Sequence, residues 1–331
     1  MSFDNKVLTA VLRAFETKRL RKKADLSRRR EEIFAVEPRI GDIDAEIKTA
    51  SIDIIRSALD GGANPVSRLG TLRDMTGALR EERAALLQSL GKPRDYLDET
   101  FDCELCEDTG FLPSGPCACL VEAYAEAQLR ELRLVLPVDA CTFDTFQLAV
   151  YPRDRDPEFD MSPRENMERV FDETAEFAAR FGEGSPNLLL NGGPGLGKTF
   201  LMSAIAERVA RSGHSVIYGS SVSLLAPYET MKFSRDPDEQ AEAGETISRL
   251  ESVDLLLYDD LGTEMPGAFT NTALYTLLNN RLMRRKKTAV ASGLSLEQIS
   301  GRYLPSIVSR LEGEFLLLPF FGDDIRILQN D

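Results

Sequence analysis

Gly192-Gly193-Pro194-Gly195-Leu196-Gly197-Lys198-Thr199 follows the apolar run Leu188-Leu189-Leu190 and leads into Phe200-Leu201-Met202. Strand, glycine-rich turn, Lys-Thr and helix stand in the order of a P-loop, where small residues let backbone N–H groups turn inward around a triphosphate at a helix N-terminus. Contacts to a nucleotide are expected from Gly193, Pro194, Gly195, Leu196, Gly197, Lys198, Thr199 and Phe200. Lys198 would reach the outer phosphates, and the Thr199 hydroxyl would sit on Mg²⁺. A glycine-rich turn without a ligand is the bland alternative, set aside because all four parts appear in order. The motif predicts binding of ATP or GTP.

A P-loop needs an acidic partner to hold Mg²⁺ and orient water. The run Val253-Asp254-Leu255-Leu256-Leu257-Tyr258-Asp259-Asp260 supplies one at the end of a buried strand and looks like a Walker B motif. Asp259 would hold the Mg²⁺ shell and Asp260 would position or deprotonate the attacking water. An acidic strand end that merely caps a neighbouring helix is the structural alternative.

Working outward, strands are predicted at 187–191, 215–218, 253–258, 288–292 and 314–319 with helices between them, which implies an α/β, doubly wound, mainly parallel sheet. Residues 5–90 read as three helices: Leu8, Val11, Leu12 and Phe15 recur at helical spacing, as do Ile40, Ile43 and Ile47, then Leu72, Met75 and Leu79. Breaks are expected near Pro38-Arg39 and at Gly61-Gly62-Ala63-Asn64-Pro65. Tyr151 to Pro163 reads as a loop. The expected organisation is a helical region at 1–95, a cysteine-rich module with a linker helix at 96–136, and an ATPase domain at 137–331.

The chain of 331 residues carries a net charge of −14, unevenly spread. Residues 1–100 hold 19 Lys+Arg against 17 Asp+Glu, leaving 21 against 37 for the remainder. So acidic a body argues against non-specific coating of nucleic acid, which relies on phosphate neutralisation by Lys and Arg, although local basic grooves stay open. Lys18 to Arg30 contains eight basic residues, a solvated helix face or an arm for DNA or an acidic partner. No secretory start is evident at Met1 and no apolar stretch is long enough to span a bilayer, so a cytoplasmic protein with no membrane partner is expected.

Four of the five cysteines lie within 103–119. Cys103 and Cys106, then Cys117 and Cys119, can supply the four thiolates of a structural zinc site in a reducing compartment. The second pair is C-x-C, unlike a generic zinc ribbon, and reduced unliganded thiols are the alternative. His214 is expected to be an ordinary surface residue, and Cys141 a buried small apolar one rather than a ligand or nucleophile.

The wording of the second half is more specific than its motifs. Asn187-Leu188-Leu189-Leu190 into the P-loop, Asp254 through Asp259-Asp260-Leu261-Gly262-Thr263-Glu264, Leu278-Asn279-Asn280-Arg281 and Ile307-Val308-Ser309-Arg310-Leu311 resemble the AAA+ ATPases of the DnaC/DnaI helicase-loader group, which includes the IstB transposition helpers. Upstream, Tyr96-Leu97, Cys103 to Phe111 and Cys117-Ala118-Cys119-Leu120 resemble the zinc-bearing N-terminal region of the loaders, and Thr142-Phe143-Asp144-Thr145-Phe146 the segment that borders the adenine. The resemblance covers about residues 95–331. It implies an AAA+ P-loop core without a C-terminal lid, Arg310 as an arginine finger reaching ATP on the next subunit, and a helix at Leu224 to Arg235 that helps build a groove for single-stranded DNA. That helix carries Tyr228, Lys232, Phe233 and Arg235, rings for bases and cations for the backbone. Packing of its Tyr and Phe in the core is an equal alternative, and for Arg310 the alternative is an ordinary pairing arginine.

Departures from the family wording are visible too. Ala291-Ser292-Gly293-Leu294-Ser295 stands where relatives have a polar Asn sensor, so Ser292 would have to substitute or hydrolysis would be slow. Ser306 stands where many relatives have a second Arg, which leaves Arg302 as a replacement, and Arg326 is a candidate second sensor. The resemblance implies an ATPase that loads a hexameric replicative DNA helicase, weakly contacts single-stranded DNA near Tyr228 to Arg235 and self-assembles through its ATP site, with ATP, Mg²⁺ and Zn²⁺ as cofactors. Rivals are a transposition helper of the IstB type, an ATP-gated scaffold with little turnover and, more distantly, a small-molecule P-loop kinase.

Overall fold

The computed structural model describes residues 3–59 and 65–328, with backbone alone at 51, 53–59 and 65–73. Residues cluster into two compact units, one formed by residues 12–117 and the other by 1–11 with 118–331.

In the larger unit the apolar runs become the strands of one parallel sheet. After the small antiparallel pair β1 (Phe111–Leu112) and β2 (Gly115–Pro116), the sheet strands are β3 (Asn187–Gly192), β4 (Val216–Ser220), β5 (Leu255–Leu261), β6 (Lys287–Ser292) and β7 (Phe315–Phe320). Their spatial order is β4-β5-β6-β3-β7, with every neighbouring pair parallel. All five expected strands are present, with ends shifted by at most three residues. Continuous Leu runs suit strands covered on both faces. Leu188, Leu190, Leu255 and Leu257 enter one core, while Leu189, Leu256 and Tyr258 enter a second on the opposite face.

Helices cover both faces. In chain order after three N-terminal helices, α1 (Asn5–Val36), α2 (Pro38–Leu59) and α3 (Pro65–Ser89), come α4 (Ala118–Leu132), α5 (Pro163–Ala179), α6 (Lys198–Arg211), α7 (Ser221–Phe233), α8 (Pro237–Ser252), α9 (Ala268–Met283), α10 (Leu296–Arg302), α11 (Pro305–Glu314) and α12 (Ile325–Leu328). Local chemistry starts them cleanly: Ser162 caps α5 in a capping box with Glu165, and Pro163 occupies the first turn. Asp4 caps α1 through the backbone N–H groups of Lys6 and Val7, and pairs with Arg249 of α8.

The quoted Leu278-Asn279-Asn280-Arg281 run turns out to be largely architectural. Arg281 is fully buried and donates to Thr288 Oγ1 at 2.9 Å, the Leu250 carbonyl at 2.5 Å and the Val253 carbonyl at 3.1 Å. It thereby ties α8 and α9 to the start of β6. Burial pulls its pKa down to about 9, opposed by Asp254, so it stays charged at neutral pH among acceptors that satisfy it.

In the smaller unit the expected helices are found, and α1 and α2 part at Glu37, beside the expected break at Pro38. Ile40 and Ile43 are buried, and Ile40 packs in a cluster with Ile33, Leu87 and Leu97. Met75, expected on an apolar face, is exposed instead. The expected break at Gly61 to Asn64 and the side chain of Leu72 lie outside the described residues. Among the described residues no helix is long and apolar enough to cross a membrane.

Candidate nucleotide-binding site

Parallel register brings the carboxyl ends of β3, β5 and β6 side by side, with Asn191 paired to Ser292 and Leu261 to Ser292. Open α/β sheets hold ligands at this edge. The turn from β3 into α6 occupies it, and its glycines are required by geometry. Gly197, the N-cap of α6, has φ +93°, and a Cβ there would meet the Tyr151 hydroxyl. Gly195 has φ +70°, and its Cβ would collide with the Asp324 carboxylate.

Lys198 is buried and its Nζ donates to the carbonyls of Gly192 and Gly193, each at 2.6 Å. Burial pulls its pKa below the ordinary lysine value, opposed by the charges of Asp259 and Asp260. Thr199 Oγ1 donates to Asp259 Oδ2 at 3.0 Å, and the Tyr218 hydroxyl donates to the same oxygen at 2.9 Å. Asp259 Oδ1 accepts the Asp260 backbone N–H at 2.8 Å. A hydroxyl and a carboxylate this close are hard oxygen donors of the kind Mg²⁺ takes, so Thr199 and Asp259 fit such an ion. Asp260 is exposed at the strand end with φ +56°. Partial desolvation of its carboxyl at the strand end and the neighbouring Asp259 raise its pKa, a shift in the direction that suits a base. Phe200 meets the Phe146 ring edge to face at 5.4 Å, and Phe146 stacks on Tyr151 at 5.9 Å. The segment expected to border the adenine therefore packs against the first turn of α6.

Of the sequence-derived candidates, Gly193 to Phe200, Asp259 and Asp260 thus meet at one edge. Arg310 of α11 is held elsewhere. Its Nη2 donates to the Tyr275 hydroxyl at 3.1 Å and to Asn279 Oδ1 at 2.5 Å, and its guanidinium lies 4.6 Å from the Tyr275 ring centre. These partners are neutral, and among the described residues no carboxylate forms an ion pair with Arg310.

Several expectations are corrected. Ser292 cannot stand in for a polar sensor: it is fully buried, its hydroxyl donates to the Leu261 carbonyl at 2.8 Å, and its oxygen accepts the Leu294 N–H at 3.1 Å. Arg302, considered as a replacement for the relatives' second Arg, instead donates to the Glu264 carbonyl. Tyr228 does not face a groove. Its hydroxyl donates to Glu251 at 3.2 Å, and burial with that carboxylate raises its pKa. Phe233 behaves in the opposite way, 60% exposed and edge-on to Phe269 at 5.3 Å, with Lys232 Nζ at 5.4 and 5.1 Å from the two ring centres. His214 is half-buried, facing Asp254 at 3.3 Å and the ring of Phe181, and is not a plain surface residue.

The cysteines converge. The Sγ atoms of Cys103, Cys106, Cys117 and Cys119 all lie within 4.8 Å of one another, with Cys103 and Cys117 at 3.7 Å. A tetrahedron with Zn–S bonds of about 2.3 Å has edges of about 3.8 Å, so the donor set fits zinc. Supporting bonds shape the knuckle: Gly110 N–H donates to Cys106 Sγ at 3.3 Å, and the Asp108 carboxylate accepts the N–H groups of Asp102 and Cys103 at 3.0 and 2.9 Å.

A model of the IstB-like ATP binding proteins matches residues 147–304, from just before α5 to the turn before α11. This part of the chain is similar to the IstB-like ATP binding proteins. Its curated relatives include the replicative helicase loaders DnaC of Buchnera aphidicola subsp. Baizongia pistaciae, 23% identical over 163 residues, and of Escherichia coli K12, 21% identical over 164. Each alignment covers 49% of this chain, and the chain spans 65% of the length of each of these relatives. A crystal structure of the DnaC helicase loader is similar over 56% of this chain and 98% of that one, at 18% identity and a TM-score of 0.44. The resemblance read from the motifs is borne out by these relatives, and the expected α/β class is borne out by the parallel five-stranded sheet.

Sequence reading missed one group beside the P-loop. Asp324 covers Gly195, and the Ile325 N–H donates to the Gly195 carbonyl at 3.1 Å. Hydrogen bonds from Arg326 hold the Asp324 carboxyl below the usual range, so it is ionised at neutral pH beside the expected phosphate site. Asp324→Asn is expected to tighten ATP binding by about three- to tenfold by removing like-charge repulsion. Calorimetric titration of the two proteins checks this, and unchanged affinity would assign Asp324 a purely structural part.

Proposed function

We propose that this chain is a cytoplasmic, ATP-dependent loader of a hexameric replicative DNA helicase, in which ATP binding and hydrolysis are coupled to self-assembly and to contact with single-stranded DNA. The observation that carries the reading is the pairing of a nucleotide edge built from Lys198, Thr199 and Asp259 with an arginine, Arg310, held by neutral partners. An arginine so held keeps its charge for an anion outside its own neighbourhood, which a site shared between subunits requires. Mg²⁺ bound at Thr199 and Asp259 supplies charge neutralisation for the phosphates. Lys198 leaves its two backbone carbonyls to bind the outer phosphates, and Asp260 orients the attacking water and accepts its proton. Similarity to DnaC loaders supports the helicase as partner. Phe233, Phe269 and Lys232 offer the ring and cation that a stacked base and its phosphate take.

Size-exclusion chromatography of the chain with the replicative helicase of the same source tests the proposal. Co-elution in ATP is the expected result, whereas no co-elution together with capture of a transposase would favour the transposition helper. A second reading, an ATP-gated scaffold with little turnover, is favoured by the full engagement of Ser292 and by Gly293, which carries no side chain to hold water. Slow basal hydrolysis is expected on either reading.

We further propose that Cys103, Cys106, Cys117 and Cys119 hold zinc and that residues 1–136 carry partner contact while 137–331 carry the ATPase. Stoichiometric zinc is expected by metal analysis, and Cys103→Ser with Cys117→Ser is expected to abolish it. The same pair should weaken helicase binding far more than ATP binding, because these ligands stand apart from the nucleotide edge in sequence. Metal-free protein with unimpaired helicase binding would contradict this.

A further inference from the structure

Within the smaller unit, α1 and residues 99–109 enclose a cavity of about 170 Å³. Its floor is apolar, formed by Leu26, which is buried, and Phe101, which is half-buried. Arg19 and Lys23 of α1 form one rim, and Glu99 and Glu107 the other. Helical spacing explains the first rim: residues 19, 22, 23 and 26 fall on one face of α1.

Lys22, between the two rim cations, is already committed. Its Nζ bonds Asp102 at 2.5 Å and Asp108 at 2.8 Å, and Lys18 pairs with Asp102 as well. The same Asp108 carboxylate shapes the cysteine knuckle. These pairs clamp the knuckle side of the cavity to α1. Arg19 and Lys23 form no ion pair among the described residues, so two positive charges stand uncommitted above an apolar floor.

We propose that this cavity is a docking site for a partner peptide that inserts one apolar side chain beside a carboxylate. The inference rests on the loader reading and names the chemistry by which the smaller unit would recognise the helicase. The apolar side chain takes the floor at Leu26 and Phe101, and the carboxylate meets Arg19 and Lys23. Two observations favour a peptide over nucleic acid. The cavity, about 170 Å³, has room for one side chain and too little for a run of bases. Its second rim is acidic, and Glu99 and Glu107 repel a phosphate backbone while leaving a peptide with a lone carboxylate free to approach from the α1 side.

The test uses the full chain and the replicative helicase of the same source. Arg19→Glu with Lys23→Glu is expected to weaken helicase binding at least about tenfold, since opposed charges replace complementary ones across the contact. Arg21→Glu, an exposed change of the same kind outside the cavity, is expected to leave it unchanged. ATP turnover and circular dichroism of both variants should match the parent. A photo-crosslinking residue at Lys23 should mark a helicase peptide with an apolar residue next to Asp or Glu. Helicase binding by the parent with equal binding by the double variant overturns the cavity and leaves the loader reading standing. Crosslinking of Lys23 to an oligothymidine in place of the helicase overturns it in favour of nucleic acid. No helicase binding by the parent removes the loader reading, and the cavity's peptide with it.

Discussion

Lys198→Ala is expected to weaken ATP binding by at least about a hundredfold, on the order of 3 kcal/mol, while Asp260→Asn leaves affinity near the parent and stops turnover. The Lys198 ammonium is buried and, among the described residues, hydrogen-bonds the carbonyls of Gly192 and Gly193. Those bonds hold a cation at the loop's centre, where triphosphate oxygens can replace the carbonyls as partners. Alanine removes the cation and leaves the loop's backbone N–H groups to bind alone. Asp260 stands at an exposed strand end and touches Lys198 only through its charge, so its loss bears on water activation more than on phosphate binding. Calorimetry for affinity and phosphate release for turnover separate the two. Equal affinity in Lys198→Ala and the parent would overturn the site.

Arg310→Ala should keep ATP affinity in dilute protein and lose the hydrolysis gained on assembly, by roughly 10³ to 10⁵ if the side chain neutralises charge on the transferring phosphoryl group of a neighbour. The structure gives the variant a particular character. Asn279 and Tyr275 position the guanidinium, so Asn279→Ala should reproduce part of the loss by freeing a side chain that remains present. Mixing Arg310→Ala with Lys198→Ala is the sharper measurement. An interface that joins the intact finger of one chain to the intact P-loop of the other should recover some activity, and an arginine acting within its own subunit should recover none. No recovery in mixtures shown to co-assemble would favour the scaffold reading.

The candidate nucleotide edge was legible because its chemistry is contiguous. Gly193 to Phe200 lie in one turn, and a strand that ends in Asp259-Asp260 is bound by the topology of a parallel sheet to finish at the same edge. The strands were legible for a related reason: buried on both faces, they read as unbroken Leu runs. Side chains of the α7 helix were not separable in this way. Tyr228 and Phe233 have the same composition signal, yet one finds Glu251 and the other solvent, a difference set by which helices stand opposite.

What the sequence by itself determined is therefore local: a P-loop, an acidic strand end, a cysteine quartet of ligating type, and the alternation that makes a parallel sheet. Each follows from residues near in the chain or from a periodicity of two or 3.6. Tertiary structure alone decided the fate of groups whose partners are remote. It engaged Ser292 with Leu261, gave Arg302 to Glu264, buried Arg281 against three carbonyls and a hydroxyl, and laid Asp324 over Gly195. A polar side chain has several acceptors within reach in any sequence, and only packing selects one. The cost of leaving a buried polar group unpaired enforces that selection after the chain has folded around it.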